Sequence, residues 1–364
     1  MKFDTEKGAL LKVLQKVQNA ISAKTTLPIL SNLLLEAQKD SLRITATDLD
    51  VGISSKTPIR TETEGAVTLP AKKFIDIVKE LPDATPITIT AKKNNIVTIE
   101  CGKIIFKIIG LPKDDFPQPP NFKNRESINI PQKFLKNMVS VTVFAVSHDE
   151  TRYVLNGILF IIKNKTIKLV ATDGRRLAVV EKPLPKETII DKKNIIPTKA
   201  IQELYRLLEE EGEMKVLFDE NQVMFDLGDT MIISRLIEGE FPNYEQVIPK
   251  EVKDKILITR ARFLSATKRA ALFTNPDSLA VKVELAKDKM VLSKNAPYIG
   301  EAREEIGVDY KGKDLAIGFN PDYLIDALKN INDEVVPFEV ADAEKPGVIR
   351  IGSEYVYVVL PMQI

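Results

Sequence analysis

In this sequence of 364 residues, the side chains best suited to acid–base or metal chemistry lie together at Ser147-His148-Asp149-Glu150-Thr151-Arg152. An imidazole beside carboxylates can serve as a general base. His148, Asp149 and Glu150 could also hold a divalent ion, as in a metal-dependent nuclease or phosphatase. Catalytic groups converge in space from separate elements, however, and no Gly-x-Ser-x-Gly nucleophile elbow occurs. The cluster therefore reads first as a polar loop after a helix. His148 is the only histidine and Cys101 the only cysteine, which excludes multi-histidine zinc sites, cysteine metal clusters and an intrachain disulfide. Neither a Gly-x-Gly-x-x-Gly run nor a Gly-Lys-Ser/Thr phosphate loop is present. No catalytic residue, no metal and no cofactor is expected, and the chain does not read as an enzyme.

A second kind of chemistry is charge alone. Lys plus Arg number 52 and Asp plus Glu 51, a net charge of +1, so the protein is not basic overall. The distribution is uneven. Three amphipathic windows, 7–24, 132–147 and 260–275, hold ten basic residues and no acidic one, where the chain average predicts about seven acids. The basic residues are Lys7, Lys12, Lys16, Lys24, Lys133, Lys136, Arg260, Arg262, Lys268 and Arg269. Three equivalent helices from which acids are excluded point to a surface for a polyanion, with lysines making sequence-independent phosphate contacts.

The elements that position these residues form a threefold repeat, which has to be sought before any other pattern. Each repeat opens with an amphipathic helix. Its apolar face is Leu10, Leu14, Val17, Ile21 in the first, Phe134, Met138, Val141, Ala145 in the second and Phe263, Ala266, Ala270, Phe273 in the third. Each has a second helix starting at a proline, Pro70, Pro197 or Pro321. Each then runs through three strands with a glycine before the last, Gly102, Gly228 or Gly352. A glycine there supplies the positive φ that hairpin turns require. Strand pairs such as Asn32–Glu36 with Leu42–Thr47, and Gly157–Ile162 with Ile167–Thr172, lie between the two helices. The spacing of about 125 residues predicts three α+β domains over 1–121, 126–249 and 253–364. No apolar run approaches the ~18 residues needed to cross a bilayer. The N-terminus is polar rather than a signal peptide, so a soluble cytoplasmic protein is expected.

Several segments are specific enough to name a family. They are Leu27-Pro28-Ile29-Leu30-Ser31-Asn32, Ala46-Thr47-Asp48-Leu49, Asp114-Asp115-Phe116-Pro117, Tyr153-Val154-Leu155-Asn156-Gly157, Ala171-Thr172-Asp173-Gly174-Arg175-Arg176-Leu177-Ala178, Gly239-Glu240-Phe241-Pro242-Asn243-Tyr244 and Val358-Val359-Leu360-Pro361-Met362. Over essentially its whole length the chain resembles the bacterial DNA polymerase III beta subunit, the sliding clamps. The resemblance implies an α+β DNA clamp fold of three tandem repeats, each of two helices and antiparallel sheets, closing as a head-to-tail homodimeric ring around double-stranded DNA. It implies a processivity factor for the replicative polymerase.

The implied partners are the polymerase III catalytic subunit, the clamp loader and other replication and repair proteins, with no membrane. Carried over position by position, a hydrophobic peptide pocket would use Leu155, Thr172, Gly174, Arg175, Arg176, Leu177, Pro242, Val247, Val359, Leu360, Pro361 and Met362. DNA would meet Lys24, Lys73, Tyr153 and Lys199, together with Lys12, Lys16, Lys133, Lys136, Lys268 and Arg269 of the acid-free helices. Asp149 stands at a DNA-facing position of the family although a carboxylate is a poor phosphate ligand. The subunit interface would join Phe106 and Ile108 to Leu272 and Phe273, flanked by Lys103 and Lys107 against Glu301, Glu304 and Glu305.

Overall fold

The computed structural model describes residues 1–22, 27–120, 122, 125–163, 165–185, 190–250 and 255–364. Six α-helices occur among them: α1 (Lys7–Val17), α2 (Ala71–Glu80), α3 (Gln132–Ser140), α4 (Thr198–Leu207), α5 (Arg260–Ala271) and α6 (Pro321–Asn330). None is long and apolar enough to cross a membrane.

The apolar spacing explains which face each helix buries. Leu10, Val13, Leu14 and Val17 of α1 are buried, as are Phe74, Ile77 and Val78 of α2 and Leu324 and Leu328 of α6. Two expectations shift. Helix α3 ends at Ser140, and its buried stripe is Leu135, Met138 and Val139, while Phe134 is half-buried and Val141 lies past the end. Phe273 likewise follows the end of α5. The three prolines also divide. Pro321 is the first residue of α6, with the Asn320 side chain accepting from the Asp322 amide, whereas Pro70 and Pro197 close the strands that precede α2 and α4.

The three-strand meanders lie at Ile87–Ala91, Ile96–Cys101, Ile104–Ile109; Glu213–Phe218, Gln222–Asp226, Thr230–Arg235; and Val335–Glu339, Gly347–Ile351, Tyr355–Val359. The glycine before each last strand has φ of 59°, 91° and 54°, at Gly102, Gly228 and Gly352. This is the left-handed turn geometry that the sequence demands.

The chain packs into two compact units, Met1–Lys133 with Gln202–Leu236, and Phe134–Ile201 with Ile237–Ile364. The first unit holds a five-stranded and an eight-stranded antiparallel sheet, and the second an eight-stranded and a four-stranded one. In the first unit, the strand Val51–Pro58 pairs on one side with Ser41–Thr47. Its other side pairs with Thr230–Arg235, the last meander strand of the second repeat. In the second unit Arg176–Pro183 pairs in the same way with Thr166–Thr172 and with Tyr355–Val359, the last meander strand of the third repeat. Ile104–Ile109 ends the five-stranded sheet and Gly300–Gly307 the four-stranded one, so each keeps one edge without a ladder partner among the described residues, as do other terminal strands such as Arg60–Thr63, Ser127–Pro131 and Lys255–Thr259.

The loop before each joining strand is built alike. In the first unit Leu49 N–H donates to Thr47 Oγ1 (3.0 Å), and the Asp50 and Val51 amides donate to Asp48 Oδ1 (3.1 and 2.8 Å). In the second, Gly174 N–H donates to Thr172 Oγ1 (3.0 Å), and the Arg175 and Arg176 amides donate to Asp173 Oδ1 (2.9 and 3.0 Å). The residue at the bend has φ of 85° at Gly174 and 80° at Leu49. Leucine is a costly occupant of that region, and its side chain is 41% exposed, so little burial offsets the strain.

Two stability measurements follow. Leu49→Gly removes the left-handed strain and is expected to raise stability by about 0.5–1 kcal/mol, after the entropy cost of an added glycine. An unchanged or lower urea midpoint contradicts this account of the bend. Gly157→Ala would place a Cβ 2.6 Å from the Ile196 carbonyl oxygen and 2.9 Å from Ile237 Cδ1. It is expected to cost about 1–3 kcal/mol, the range for an overpacked core, read from the same urea transition.

Candidate partner pocket and nucleic-acid interface

The loop Thr172–Arg176 forms one wall of an apolar cavity of about 160 Å³ in the second unit. Thr172 Oγ1 donates to the Arg176 carbonyl (2.6 Å), and the Arg175 carbonyl accepts from the Leu360 amide (2.9 Å), so the loop is tied to the C-terminal segment. Leu155, Thr172, Gly174, Arg175, Arg176, Leu177, Pro242, Val247 and Leu360 all line the cavity. Leu155 and Leu177 are also core residues, packed with Leu159, Val170, Val179, Ile237 and Phe241. Core leucines thus form the floor of a surface pocket, and its apolar character comes directly from the core. Around the rim, Val247 is 52% exposed and Leu360 40%.

The sequence reading differs from this wall at six positions. Val359 is fully buried, and its neighbour Val358 lines the cavity instead, because successive residues of a strand point to opposite faces. Pro361 and Met362 do not line it; Met362 N–H donates to the Gly318 carbonyl (2.8 Å). Asn243 and Tyr244, which sequence reasoning missed, do line it. They follow Pro242 directly within the quoted motif, and that adjacency was the available signal. Arg176 is 8% exposed, and its guanidinium is turned to Asp173, Asp326 and the Phe144 carbonyl.

The basic residues fall into two groups. Lys12 on α1, Lys73 on α2, Lys199 on α4 and Lys268 on α5 are exposed, and Tyr153 is 59% exposed. Lys199 nonetheless has an interaction partner, and others are engaged by groups from outside their helix. Arg269 makes two hydrogen bonds to the Glu304 carboxylate (2.7 and 2.6 Å), which holds that carboxyl below its ordinary range. Lys133 lies 3.5 Å from Glu210, Lys7 lies 3.0 Å from Asp83, and Lys16 donates to Thr230 Oγ1 (3.2 Å). Arg260 donates to the Leu328 and Asp333 carbonyls. Lys136 is half-buried. Lys24 lies outside the described residues. Acid-free helices therefore carry less uncompensated charge than their composition suggests, since carboxylates reach them from elsewhere in the chain.

Beside the Gly300–Gly307 edge, Leu272 is 79% exposed, and Phe273 packs close to Gly300 at its start. On the Ile104–Ile109 edge Phe106 is half-buried, and Ile108, at 8% exposure, belongs to the core of its sheet. The exposed apolar residues of that strand are Ile104, Ile105 and Ile109.

The Ser147–Arg152 segment does not assemble into a catalytic group. Asp149 accepts from the Thr151 hydroxyl (2.7 Å) and amide (3.0 Å), and these bonds hold its carboxyl below the usual range. A carboxylate so stabilised is a weak general base and repels phosphate. Among the described residues no three His, Cys, Asp or Glu side chains are arranged to hold a metal ion.

The whole chain matches known proteins. Family models for the N-terminal, central and C-terminal domains of the DNA polymerase III beta subunit match residues 1–120, 129–243 and 245–363. The Chlamydia pneumoniae protein named beta sliding clamp is 33% identical over 364 residues, covering 100% of this chain and 99% of that one. The Bacillus subtilis DNA polymerase sliding clamp structure is similar with a TM-score of 0.96 at 31% identity, covering 100% and 99%. A Pseudomonas aeruginosa sliding clamp bound to griselimycin has a TM-score of 0.94 at 32% identity, with both chains fully covered. With all three family domains matched in order and relatives above 30% identity aligned end to end, this chain belongs to the DNA polymerase III beta subunit family, the beta sliding clamps.

Proposed function

We propose that the chain is a non-enzymatic clamp that encircles duplex DNA as a head-to-tail homodimer in the cytoplasm and tethers the replicative polymerase. The observation that carries this reading is the repeated strand joint. The joining strands start at Val51, Arg176 and Gly300, 125 and 124 residues apart. The meander strands that meet them start at Ile104, Thr230 and Tyr355, 126 and 125 apart. Two of the three joining strands already pair with the last meander strand of the following repeat. The two remaining members of the series, Gly300–Gly307 and Ile104–Ile109, each end their sheet with one edge unpaired among the described residues. Pairing them between two copies applies the same joint again and covers both of these edges. A heterologous contact whose rotation closes gives a ring.

The chemistry of the edges supports this pairing. Transferring the register of either internal joint places Lys107 opposite Glu301, an opposite-charge cross-strand pair. Leu272, Ile105 and Ile109 supply exposed apolar surface beside it. Exposed lysines such as Lys12, Lys73, Lys199 and Lys268 suit loose phosphate contact, and processivity then comes from topological linkage rather than affinity. The apolar cavity with Arg175 and Leu360 at its mouth would take short peptide segments of the polymerase III catalytic subunit, the clamp loader and repair factors. We place clamp repeats at 1–121, 126–249 and 253–364.

The tests address ring and linkage separately. Leu272→Ala combined with Phe273→Ala is expected to convert the dimer to a monomer in sedimentation, with the far-UV circular dichroism unchanged. A persisting dimer overturns this edge as the interface. Clamp loaded on nicked circular DNA is expected to stay bound in high salt and to be lost once the DNA is linearised. Equal retention on both forms contradicts encirclement.

A further inference from the structure

Arg176 belongs to the pocket wall, yet its charged end faces away from the cavity. The guanidinium donates through Nε to Asp173 Oδ2 (3.0 Å), through Nη1 to Asp326 Oδ2 (2.7 Å) and through Nη2 to the Phe144 carbonyl (2.6 Å). It lies 4.5 Å from the centre of the Tyr323 ring and 5.6 Å from that of Phe144. Burial penalises this charge. The Asp326 hydrogen bond, with the carboxylates of Asp173 and Asp326 close by, more than compensates. Each guanidinium nitrogen therefore donates to the protein, and none of these three hydrogen bonds points to a ligand.

These partners come from separate elements. Asp173 is the residue whose other oxygen accepts from the Arg175 and Arg176 amides and so sets the bend of the pocket loop. Asp326 and Tyr323 lie on α6. Asp326 is not part of the cavity wall. The α6 backbone is in turn fixed to the C-terminal strand, because the Tyr357 hydroxyl donates to the Tyr323 carbonyl (2.8 Å).

We propose that Asp326 is a positioning residue for the partner pocket, acting through Arg176 to hold the Thr172–Arg176 loop in the shape that receives a peptide. This rests on the reading of the cavity as the partner site. The residence time of a bound partner is then set partly by a carboxylate that does not line the cavity. Arg176 lines the cavity and also positions the loop through its guanidinium. The chain of action is explicit. Removing the α6 carboxylate leaves the buried guanidinium with Asp173 as its single anionic partner. The guanidinium and Asp173 are then free to move together, and the loop amides anchored on Asp173 move with them.

The test uses the full-length protein flowed over immobilised polymerase III catalytic subunit, read by surface plasmon resonance. Asp326→Ala is expected to weaken binding about tenfold, the scale for losing a charge-assisted hydrogen bond. Arg176→Met should weaken it comparably, and the double variant no more than the worse single one. Amide exchange at Gly174, Arg175 and Arg176 should accelerate in Asp326→Ala, while Leu169–Ala171 in the adjoining strand stay protected. A general loss of stability would not give that pattern. Deletion of Leu360–Ile364, measured on the same surface, separates the two readings. If the deletion abolishes binding while Asp326→Ala binds like the parent, this inference alone is overturned. If the deletion binds normally, the pocket assignment falls and the inference with it. Additive effects of Asp326→Ala and Arg176→Met also overturn it.

Discussion

The structure depends on one interaction, the antiparallel ladder that joins a strand of one repeat to the last meander strand of the next. Each repeat by itself has an edge strand whose N–H and C=O groups need partners. The Val51–Pro58 and Arg176–Pro183 ladders satisfy those groups within the chain and make two eight-stranded sheets out of elements far apart in sequence. The helices, the bent loops and the apolar pocket all take their positions from these sheets. The loop Thr172–Arg176 is the entry to a joining strand, so the pocket arises where a joint begins.

The pocket also shows how a binding surface can be obtained from a core at little added cost. Leu155, Leu177 and Val358 belong to a continuous apolar cluster that the sheet needs for stability in any case. The loop and the Pro242–Tyr244 turn leave that cluster open at one point. Around the opening the polar groups are satisfied locally. Thr172, Asp173 and Arg176 bond to each other and to the backbone, which keeps the mouth free of unpaired buried donors.

Much of this was legible in the sequence, and the limits are physical. Glycines at 102, 228 and 352 and the helical spacing after Pro70, Pro197 and Pro321 are local signals, and they located the meanders and second helices within a few residues. The joints were not legible. Ser55 and Thr230 lie 175 residues apart, and an alternating apolar strand carries no mark of its distant neighbour. The resemblance put Val359 rather than Val358 in the pocket, and because both are apolar and largely buried, composition could not tell the pocket side from the core side. Charge counting along helices missed Glu304 at Arg269 and Glu210 at Lys133, because those carboxylates arrive from other elements. Leu49 at φ of 80° stands at a left-handed bend where its counterpart in the second unit is Gly174, and the hydrogen bonds around the two are alike.

The division of the second repeat between the two units bears on how the protein is made. The eight-stranded sheet of the first unit is complete only with Thr230–Arg235, and that of the second only with Tyr355–Val359. On a ribosome, the N-terminal half therefore waits with an open sheet edge until more than a hundred further residues have emerged. The C-terminal half closes only after Tyr355–Val359 has emerged. Pairings of such long range are slow to form and leave edges exposed meanwhile. The nascent chain is thus most open to wrong strand partners, including those of a sister chain on the same messenger, during the interval before residue 235 appears. A clamp of this construction is expected to rely on that interval being short or guarded.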